Sequence, residues 1–326
     1  MAWHPDMARI VEAVQSAPSI FNQQLWDIRL ADEARDRVEL YADPKGGPGT
    51  ALPREVAISC GAALYNLRLA IQVAGRTPSV WMLPGLDGES PLIDQLGAGR
   101  VLVASVEIMP SRTAPPTAGV QEMYEAMWLR HAPAGSYPIL PIPLPLLVEM
   151  EDAAAEEHGW LRLLHPRQRR LIKRELARAG ADTSRIGRRT QLMALSTDDD
   201  RPLDWLRAGQ ALQHALLTGT RYSMSGASGR SDRYRVSLKY GFSDWHPLRS
   251  PRRVPAGYGV TASFLPQSLE AADLRRRPRR WPWHWFYNEV PQMVLRVAFA
   301  PVERVPAPPL YQDRPAGGES PLDRSG

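Results

Sequence analysis

The sequence predicts an α+β protein in which sheets and helices surround two paired central helices, and three observations predict it. Residues 60–75 form an apolar helical pattern that is interrupted by little charge other than Arg68, so other elements must cover most of its sides. Residues 208–220 repeat the small and apolar residues of that stretch at a constant offset. Short segments typical of strands lie before and after both helices.

The repeat has an offset of 148 positions (209 minus 61). It matches Gly61 with Gly209, Ala63 with Ala211, Leu64 with Leu212 and Leu69 with Leu217. A few matches between two apolar helices also arise by chance, so the pattern alone leaves coincidence and internal duplication open. A duplicated helix pair would build a two-fold core from one chain.

The first half is predicted to span residues 1–104. It reads as helices over 6–15 and 60–75 and strands over 26–30, 38–42, 79–83 and 101–106. Gly75, with Pro78 beyond it, is predicted to end the central helix.

The second half is predicted to span residues 105–300. It reads as helices over 121–130, 146–158, 168–178 and 208–220 and strands over 160–164, 190–196 and 294–299. The prolines of residues 137–145 predict a non-helical segment. Residues 232–286 read as an irregular insert rich in arginine, proline and aromatic residues, and residues 301–326 read as a proline-rich, disordered tail.

The composition limits the class of protein. The net charge of +5 suits an anionic ligand, but arginine-rich coding in a GC-rich genome gives the same value. Cys60 is the single cysteine, which excludes an intrachain disulfide and a cysteine-based zinc site and fits a reducing cytoplasm. The polar opening residues predict no signal peptide, and no apolar run approaches 18 residues. We therefore expect a cytoplasmic protein with a small-molecule partner, and neither nucleic acid nor membrane.

Several local patterns have two interpretations. Residues 257–262 match a dinucleotide fingerprint by letters, but no strand before them and no helix after them is predicted. Cys60, near a helix start, reads as a buried core thiol or as a reactive one. The cluster over Arg275–Arg280, followed by tryptophans, reads as a solvated loop or as a segment that binds phosphate and planar rings.

The stretch Ala17–Trp26 carries the clearest functional signal. Ser19, Asn22 and Gln24 are neutral hydrogen-bonding residues placed between apolar ones, just before a predicted strand. Such side chains suit a polar ring or polyol that is held without charge. A capped helix end would have a similar composition.

This stretch, together with later segments, resembles the Acg family, an actinobacterial branch of the nitroreductase-like flavoproteins. The segments that carry the resemblance are Ala17–Trp26, Arg54-Glu55, Ile58–Leu64, Asn66–Ala70, Trp205–Leu212 and Pro291–Val297. The similarity is close over residues 7–106 and 290–300 and patchy between 107 and 220.

The resemblance implies a nitroreductase-like fold in which two fused halves form an internal pseudo-dimer around one FMN. It implies that Ser19, Asn22 and Gln24 bind the flavin and that Arg112 and Thr113 bind its phosphate. The implied activity is oxidoreduction of a small planar organic substrate, with NAD(P)H as the candidate electron donor. The implied state is a monomer with an internal two-fold, and pairing with a second chain stays open. No residue is assigned a catalytic role, and no metal is expected.

The chain also departs from the family pattern. Gln23 and Leu25 replace the Thr and Pro of the family pattern. Ala114-Pro115 replaces its Asn-Arg, and Glu303-Arg304 occupies the place of its Arg-Arg-Pro segment. These changes remove basic anchors for a phosphate. Two alternatives therefore stay open: a protein that sequesters FMN without turnover, and a flavin-free scaffold that binds another small molecule.

Overall fold

The computed structural model describes residues 7–19, 24–32, 36–43, 52–84, 100–110, 117–131, 141–178, 191–224, 258–264 and 289–304. Within these ranges the chain is a mixed α+β protein with two antiparallel sheets.

The first half consists of two helices and one four-stranded sheet. Its elements are α1 (Met7–Gln15), β1 (Trp26–Asp32), β2 (Arg37–Ala42), α2 (Arg54–Val73), β3 (Arg76–Met82) and β4 (Val101–Pro110). The strand order is β1-β2-β4-β3. α2 ends at Val73, and Gly75 takes the left-handed φ of 73° that favours glycine after a helix.

A linking segment and the second half follow. The linking elements are α3 (Ala118–Ala126) and β5 (Leu129–His131). The second half is α4 (Leu144–Glu156), β6 (Trp160–Leu163), α5 (Pro166–Arg178), β7 (Gln191–Thr197), α6 (Pro202–Met224), β8 (Tyr258–Phe264) and β9 (Val290–Arg304). The second sheet has the order β5-β9-β7-β6, and β8 also pairs with β9.

The two sheets share one strand order. When β6, β7, β8 and β9 are matched in sequence with β1, β2, β3 and β4, the second sheet reads β6-β7-β9-β8, the same order as the first. In each half a helix precedes the first strand, and a long helix lies between the second and third strands. The pairing of β2 with β4 and that of β7 with β9 each contain a register shift, after Leu40 and Leu195 respectively. Both halves therefore have the same element order, with α5 as an addition to the second.

Each half has its own hydrophobic core, and the two central helices exchange residues between them. The first core lies between the first sheet, α1, α2 and α3, and it includes Leu206 and Leu217 of α6. The second core lies between the second sheet, α4 and α6, and it includes Ile58 of α2. Ile58 and Leu206 are 148 positions apart, so each helix places the same position in the other half's core.

α2 and α6 pack directly against each other at two glycines. A Cβ added at Gly61 would lie 2.9 Å from the Cα of Gly209, and a Cβ added at Gly209 would lie 2.8 Å from the Cα of Gly61. The hypothetical Cβ atoms would also meet backbone oxygens, that of Leu206 from Gly61 and that of Ile58 from Gly209. The close approach therefore requires glycine at both positions.

The predicted elements largely agree with the structure in type and order, but α2 and α6 each begin six residues before the predicted starts at residues 60 and 208. Three other predictions are wrong. The predicted helix 121–130 ends at Ala126, after which the chain enters β5. Pro145 lies inside α4, in its first turn, where a missing N–H leaves no helical bond unmade. Residues 258–264 of the predicted irregular insert form β8, so the fingerprint letters lie largely within a strand. The rest of that insert lies outside the described residues.

Two predicted domain boundaries fall within strands. The boundary between residues 104 and 105 lies inside β4, which continues to Pro110. β9 continues to Arg304 and pairs there with β5, past the predicted end of the second half at residue 300. Residues 305–326 lie outside the described ranges.

α2 corrects the expectation that no apolar stretch of the sequence approaches the 18 residues needed to span a membrane. By length and composition alone, α2 is long and apolar enough to cross a membrane. Of its most apolar 18 residues, 89% are buried inside the structure, as in the core helix of a folded protein. Cys60 lies within it as a fully buried thiol whose pKa is raised by burial, which confirms the core interpretation.

Candidate functional site

Two polar contacts join α2 and α6 beside the glycine crossing. Gln213 Nε2 donates to Asn66 Oδ1 at 2.8 Å, and the rings of Tyr65 and His214 stack with their centroids 4.9 Å apart. At the offset of 148 positions, Asn66 corresponds to His214 and Tyr65 to Gln213. One contact is therefore the counterpart of the other.

The same two positions face the helix that precedes the first strand of each half. Asn66 Nδ2 donates to the carbonyl of Ala13 at 2.8 Å and to Ser16 Oγ at 3.1 Å, at the end of α1. Its counterpart His214 has Nδ1 3.7 Å from Oε1 of Glu157, at the end of α4. The helix that precedes each sheet thus faces its central helix at equivalent places, through hydrogen bonds in the first half and through a close approach without a hydrogen bond in the second.

His214 is a buried, uncharged histidine. Burial, followed by the positive charges of Arg68 and Arg221, lowers its pKa to about 4. Glu157 would favour the protonated ring, but its carboxylate is already paired with Arg68 Nη1 at 2.6 Å. His214 Nδ1 has no hydrogen-bond partner among the described residues. The group is therefore a packed aromatic contact near neutral pH, and protonating it would be unfavourable.

The two halves differ in the loop that follows this contact. In the first half ten residues, 16–25, separate α1 from β1, whereas in the second half only residues 157–159 separate α4 from β6. The short turn has His158 at a φ of 58°. Gly159 has no room for a Cβ because Ala211 of α6 occupies that space. Only the first half therefore has a loop that is long enough to surround a ligand at this place.

The long loop contains the predicted flavin-binding stretch. Ser19 is half-buried just after α1, and Gln24 is exposed just before the buried Leu25 and Trp26. The structure places these two side chains on one segment and describes no contact between them. Asn22, Arg112 and Thr113 lie outside the described residues, so the proposed set is not brought together by the described part of the chain.

A second polar group lies where α2 and α6 begin. Arg54 is the first residue of α2, and only 7% of it is exposed. Its Nη2 donates to Oδ1 of Asp200, and its Cζ lies 5.3 Å from the ring centroid of Trp205. Trp205 Nε1 donates to the same Asp200 oxygen at 2.7 Å. Nε and Nη1 of Arg54 are buried and have no partner among the described residues.

The start of α2 itself has no side-chain cap. Pro53 occupies the N-cap position with no side-chain hydrogen bond, so the first N–H groups of the helix have no helical acceptor. At the start of α6, Oδ2 of Asp204 accepts from the backbone N–H of Arg201, the residue before the helix, at 3.2 Å. The buried arginine thus lies at a helix start whose N-cap residue provides no side-chain acceptor.

Gln292 lies beside this group. Its side chain is buried, and Nε2 donates to Thr197 Oγ1 at 2.7 Å and to the carbonyl of Asp199 at 3.2 Å. Its Oε1 has no partner among the described residues. Arg54 and Gln292, each with unpartnered polar atoms, thus donate through other nitrogens to consecutive residues, Asp200 and Asp199.

Sequence reasoning assigned no role to Arg54, Asp200 or Trp205. Arg54 lies before the predicted helix of residues 60–75, in one of the segments that carry the family resemblance, and the aspartates of residues 198–200 lie just before α6. Neither pattern indicates that the two segments meet, because they lie 146 positions apart.

Within the described residues, no group of three or more His, Cys, Asp and Glu side chains is placed to hold a metal ion. No protein-family model matches the chain, and no curated protein matches it either.

Proposed function

We propose that the chain is an FMN-binding, nitroreductase-like oxidoreductase whose two halves form an internal pseudo-dimer and which acts on a small planar organic substrate. The observation that carries the proposal is the reciprocity of the contacts between α2 and α6. A two-fold relation requires that if one residue contacts a second, the counterpart of the first contacts the counterpart of the second. The pairs Asn66–Gln213 and Tyr65–His214 satisfy this rule at the offset of 148 positions.

The fold gives independent support to the two-half arrangement. The shared strand order extends over four strands in each half, whereas the sequence repeat covers little more than one helix. The exchange of Ile58 and Leu206 between the two cores is also reciprocal. In this arrangement a single chain supplies both halves, so the site needs no second copy for completion.

The residues that are present fit a phosphorylated, planar cofactor. Ser19 and Gln24 offer neutral hydrogen-bonding groups on the long loop of the first half. Arg54 offers buried N–H donors that no described residue accepts, and an anionic cofactor needs such cationic donors. In the proposal Asn22 completes the neutral set, and Arg112 and Thr113 bind the phosphate.

FMN, when bound, supplies hydride and electron transfer, and the protein supplies position and electrostatics. Ser19, Asn22 and Gln24 would orient the ring system by neutral hydrogen bonds. The second half closes the equivalent place with the turn of residues 157–159, which supports one cofactor for each chain.

The experiment that tests the activity is reduction of the FMN-reconstituted protein by NADH or NADPH under argon, followed by addition of a soluble quinone. Bleaching of the flavin by a nicotinamide donor and recovery with the quinone are the expected results. Bound FMN that neither nucleotide bleaches would contradict the oxidoreductase and favour a sequestering protein. Failure to bind FMN at all would favour the flavin-free scaffold.

A further inference from the structure

α5 carries the whole net charge of the protein. Its 13 residues include six basic residues and one acidic residue, Glu175, a net charge of +5. The full chain has 40 basic and 35 acidic residues and therefore the same net charge of +5. The rest of the chain has equal numbers of the two, 40 minus 6 and 35 minus 1. Arginine-rich coding would spread the excess along the chain, so its concentration on one helix favours a local cause.

The shared fold of the two halves does not require α5. The helix lies between β6 and β7. The matching strands of the first half, β1 and β2, are separated only by residues 33–36. The first half therefore forms the same strand order without such a helix.

The exposed side of α5 is a stripe of four arginines. This arginine stripe consists of Arg167, Arg170, Arg174 and Arg178, each of which is exposed. Their spacings of three, four and four residues place them on one face of the helix. The first and the last lie about 16 Å apart along the helix axis. Arg174 and Arg178 also make contacts within the protein, so the inference depends chiefly on the first two.

The other side of α5 is fixed to the protein. Ile172 is 1% exposed and belongs to the second core. Gln168 is also buried, and its Oε1 accepts from the backbone N–H of His165 at 2.7 Å. The helix therefore presents the arginine stripe outward in a fixed orientation, and Ile172 is not available to insert into a lipid bilayer.

The arginine stripe has the character of a nucleic-acid interface and not that of a protein interface. Protein interfaces need apolar or aromatic anchors beside their arginines. The exposed large hydrophobic residues of the described chain are Leu30, Trp81 and Met109, and all three belong to the first half. Nucleic-acid interfaces are more polar and far more positive, and a basic stripe along a helix is their electrostatic signature.

We propose that the arginine stripe of α5 binds the phosphate backbone of a nucleic-acid duplex without reading its sequence. One strand of B-form DNA has a phosphate for about each 3.4 Å of axis, so the stripe passes about five phosphates. A guanidinium can bind phosphate oxygens through two parallel hydrogen bonds, which lysine cannot do. The partner differs from the sequence expectation of no nucleic acid, because the charge is concentrated on one helix face. The surface needs no flavin and is independent of the proposed function.

Fluorescence anisotropy tests the surface directly, with the full chain titrated into a labelled DNA duplex of about 20 base pairs from about 20 to about 150 mM salt. The logarithm of the association constant should fall linearly with the logarithm of the salt concentration. The slope should be about −2 or steeper, because each phosphate contact contributes about −0.9. A second duplex of unrelated sequence should bind equally well. A chain that does not bind at the lowest salt concentration, or a slope near zero, would overturn the inference.

Variants assign the binding to α5. Arg170→Gln should weaken binding to both duplexes equally and make the slope shallower by about 1. The double variant with Arg167→Gln should weaken binding at least tenfold, which is about 1.4 kcal/mol. Arg201→Gln is the matched control, because the Arg201 side chain is 74% exposed but lies before α6, where it pairs with Asp199.

The control should leave the slope unchanged. Glutamine is a good helix former, so the circular dichroism spectra of all three variants should match that of the wild type. Equal effects of Arg170→Gln and Arg201→Gln would mean that overall charge decides binding, and this result would overturn the arginine stripe as the surface.

Three further probes identify the class of polyanion. Vesicles that contain phosphatidylserine test a membrane, and poly-glutamate tests an acidic protein segment. Binding to either one that is as tight as binding to the duplex would overturn the inference. An RNA duplex of the same sequence separates the two sources of a phosphate backbone. Equal affinity for RNA and DNA supports recognition of the shared backbone, and a preference for one assigns the natural partner.

Discussion

Gly61 and Gly209 are in contact at the crossing of α2 and α6, and neither position has room for a side chain. The Cβ of an alanine at either glycine would lie less than 3.0 Å from the Cα of the other. Each Cβ would also meet the carbonyl oxygen of the residue three positions before the opposite glycine, Leu206 or Ile58. The two helices therefore approach backbone to backbone, and the two glycines set their separation.

Gly61→Ala and Gly209→Ala should each lower the free energy of unfolding by about 3 kcal/mol, because the added methyl group meets backbone atoms that cannot move aside. The two effects should be similar, since the contacts are reciprocal. Urea denaturation followed by circular dichroism measures both.

Gly119→Ala is the control for these variants. A Cβ at Gly119 would meet only Nη1 of the Arg221 side chain, at 3.2 Å, and alanine is the better helix former by about 1 kcal/mol. This variant should be as stable as the wild type or more stable. Wild-type stability of Gly61→Ala would contradict the close packing of the two helices.

Asn66 connects three segments within the protein. It is fully buried, donates to Ala13 and Ser16 and accepts from Gln213. Asn66→Ala should lower the free energy of unfolding by about 3 kcal/mol, because it leaves buried groups on both neighbouring helices without partners.

A double-mutant cycle with Gln213→Ala tests whether the contact between α2 and α6 is direct. The two changes should be non-additive by about 1 kcal/mol, since either one removes the shared hydrogen bond. Additivity within about 0.3 kcal/mol would mean that the two side chains do not interact.

The stability of the protein should depend on the protonation of His214. Its pKa is about 4 in the folded chain, against 6.5 for the ordinary group. The unfolded chain therefore binds the proton more readily between these values. Above pH 6.5 the ring is neutral in both states, and this contribution to the free energy of unfolding is fully present. As the pH falls from 6.5 to about 4, the free energy of unfolding should decrease by about 3 kcal/mol in total.

His214→Gln isolates this contribution from the other titrating groups. The difference in unfolding free energy between the wild type and this variant should shrink as the pH falls through that window. Parallel curves for the two proteins would show that His214 is not held neutral by its surroundings.

Asn22 tests the proposed flavin-binding loop. Asn22→Ala should lower the amount of FMN retained after purification and leave the melting temperature of the flavin-free protein unchanged, because an amide contributes about 0.5–1.5 kcal/mol for each hydrogen bond. Gln72→Ala is the control: it removes the amide side chain of a residue on α2, away from the loop, and this variant should retain the wild-type FMN content. Equal flavin content in the two variants would remove Asn22 from the site.

Much of the fold is predictable from local patterns. The apolar periodicity of residues 60–75 predicts a buried helix, and the offset of 148 predicts the position of its counterpart. The structure pairs these two helices through the glycines that the repeat matched. β8 was not predicted, because its seven residues lie in a region of mixed composition and gain their order from pairing with β9.

The candidate site is less predictable, because it depends on contacts between distant segments. The neutral residues of Ala17–Trp26 stand out by their spacing, since they belong to one stretch of chain. Arg54, Asp200 and Trp205 do not stand out, because their relation appears only when the starts of α2 and α6 are placed together. The turn at residues 157–159, which makes the two halves unequal, is likewise visible only when the halves are matched in three dimensions.

The most direct test of the central claim is the visible absorption spectrum of the purified full-length chain, combined with mass spectrometry of the small molecules released on denaturation. The account predicts a yellow protein that releases FMN at close to one molecule for each chain, or that takes up one FMN on reconstitution. A colourless protein that releases no flavin and takes up none would contradict it.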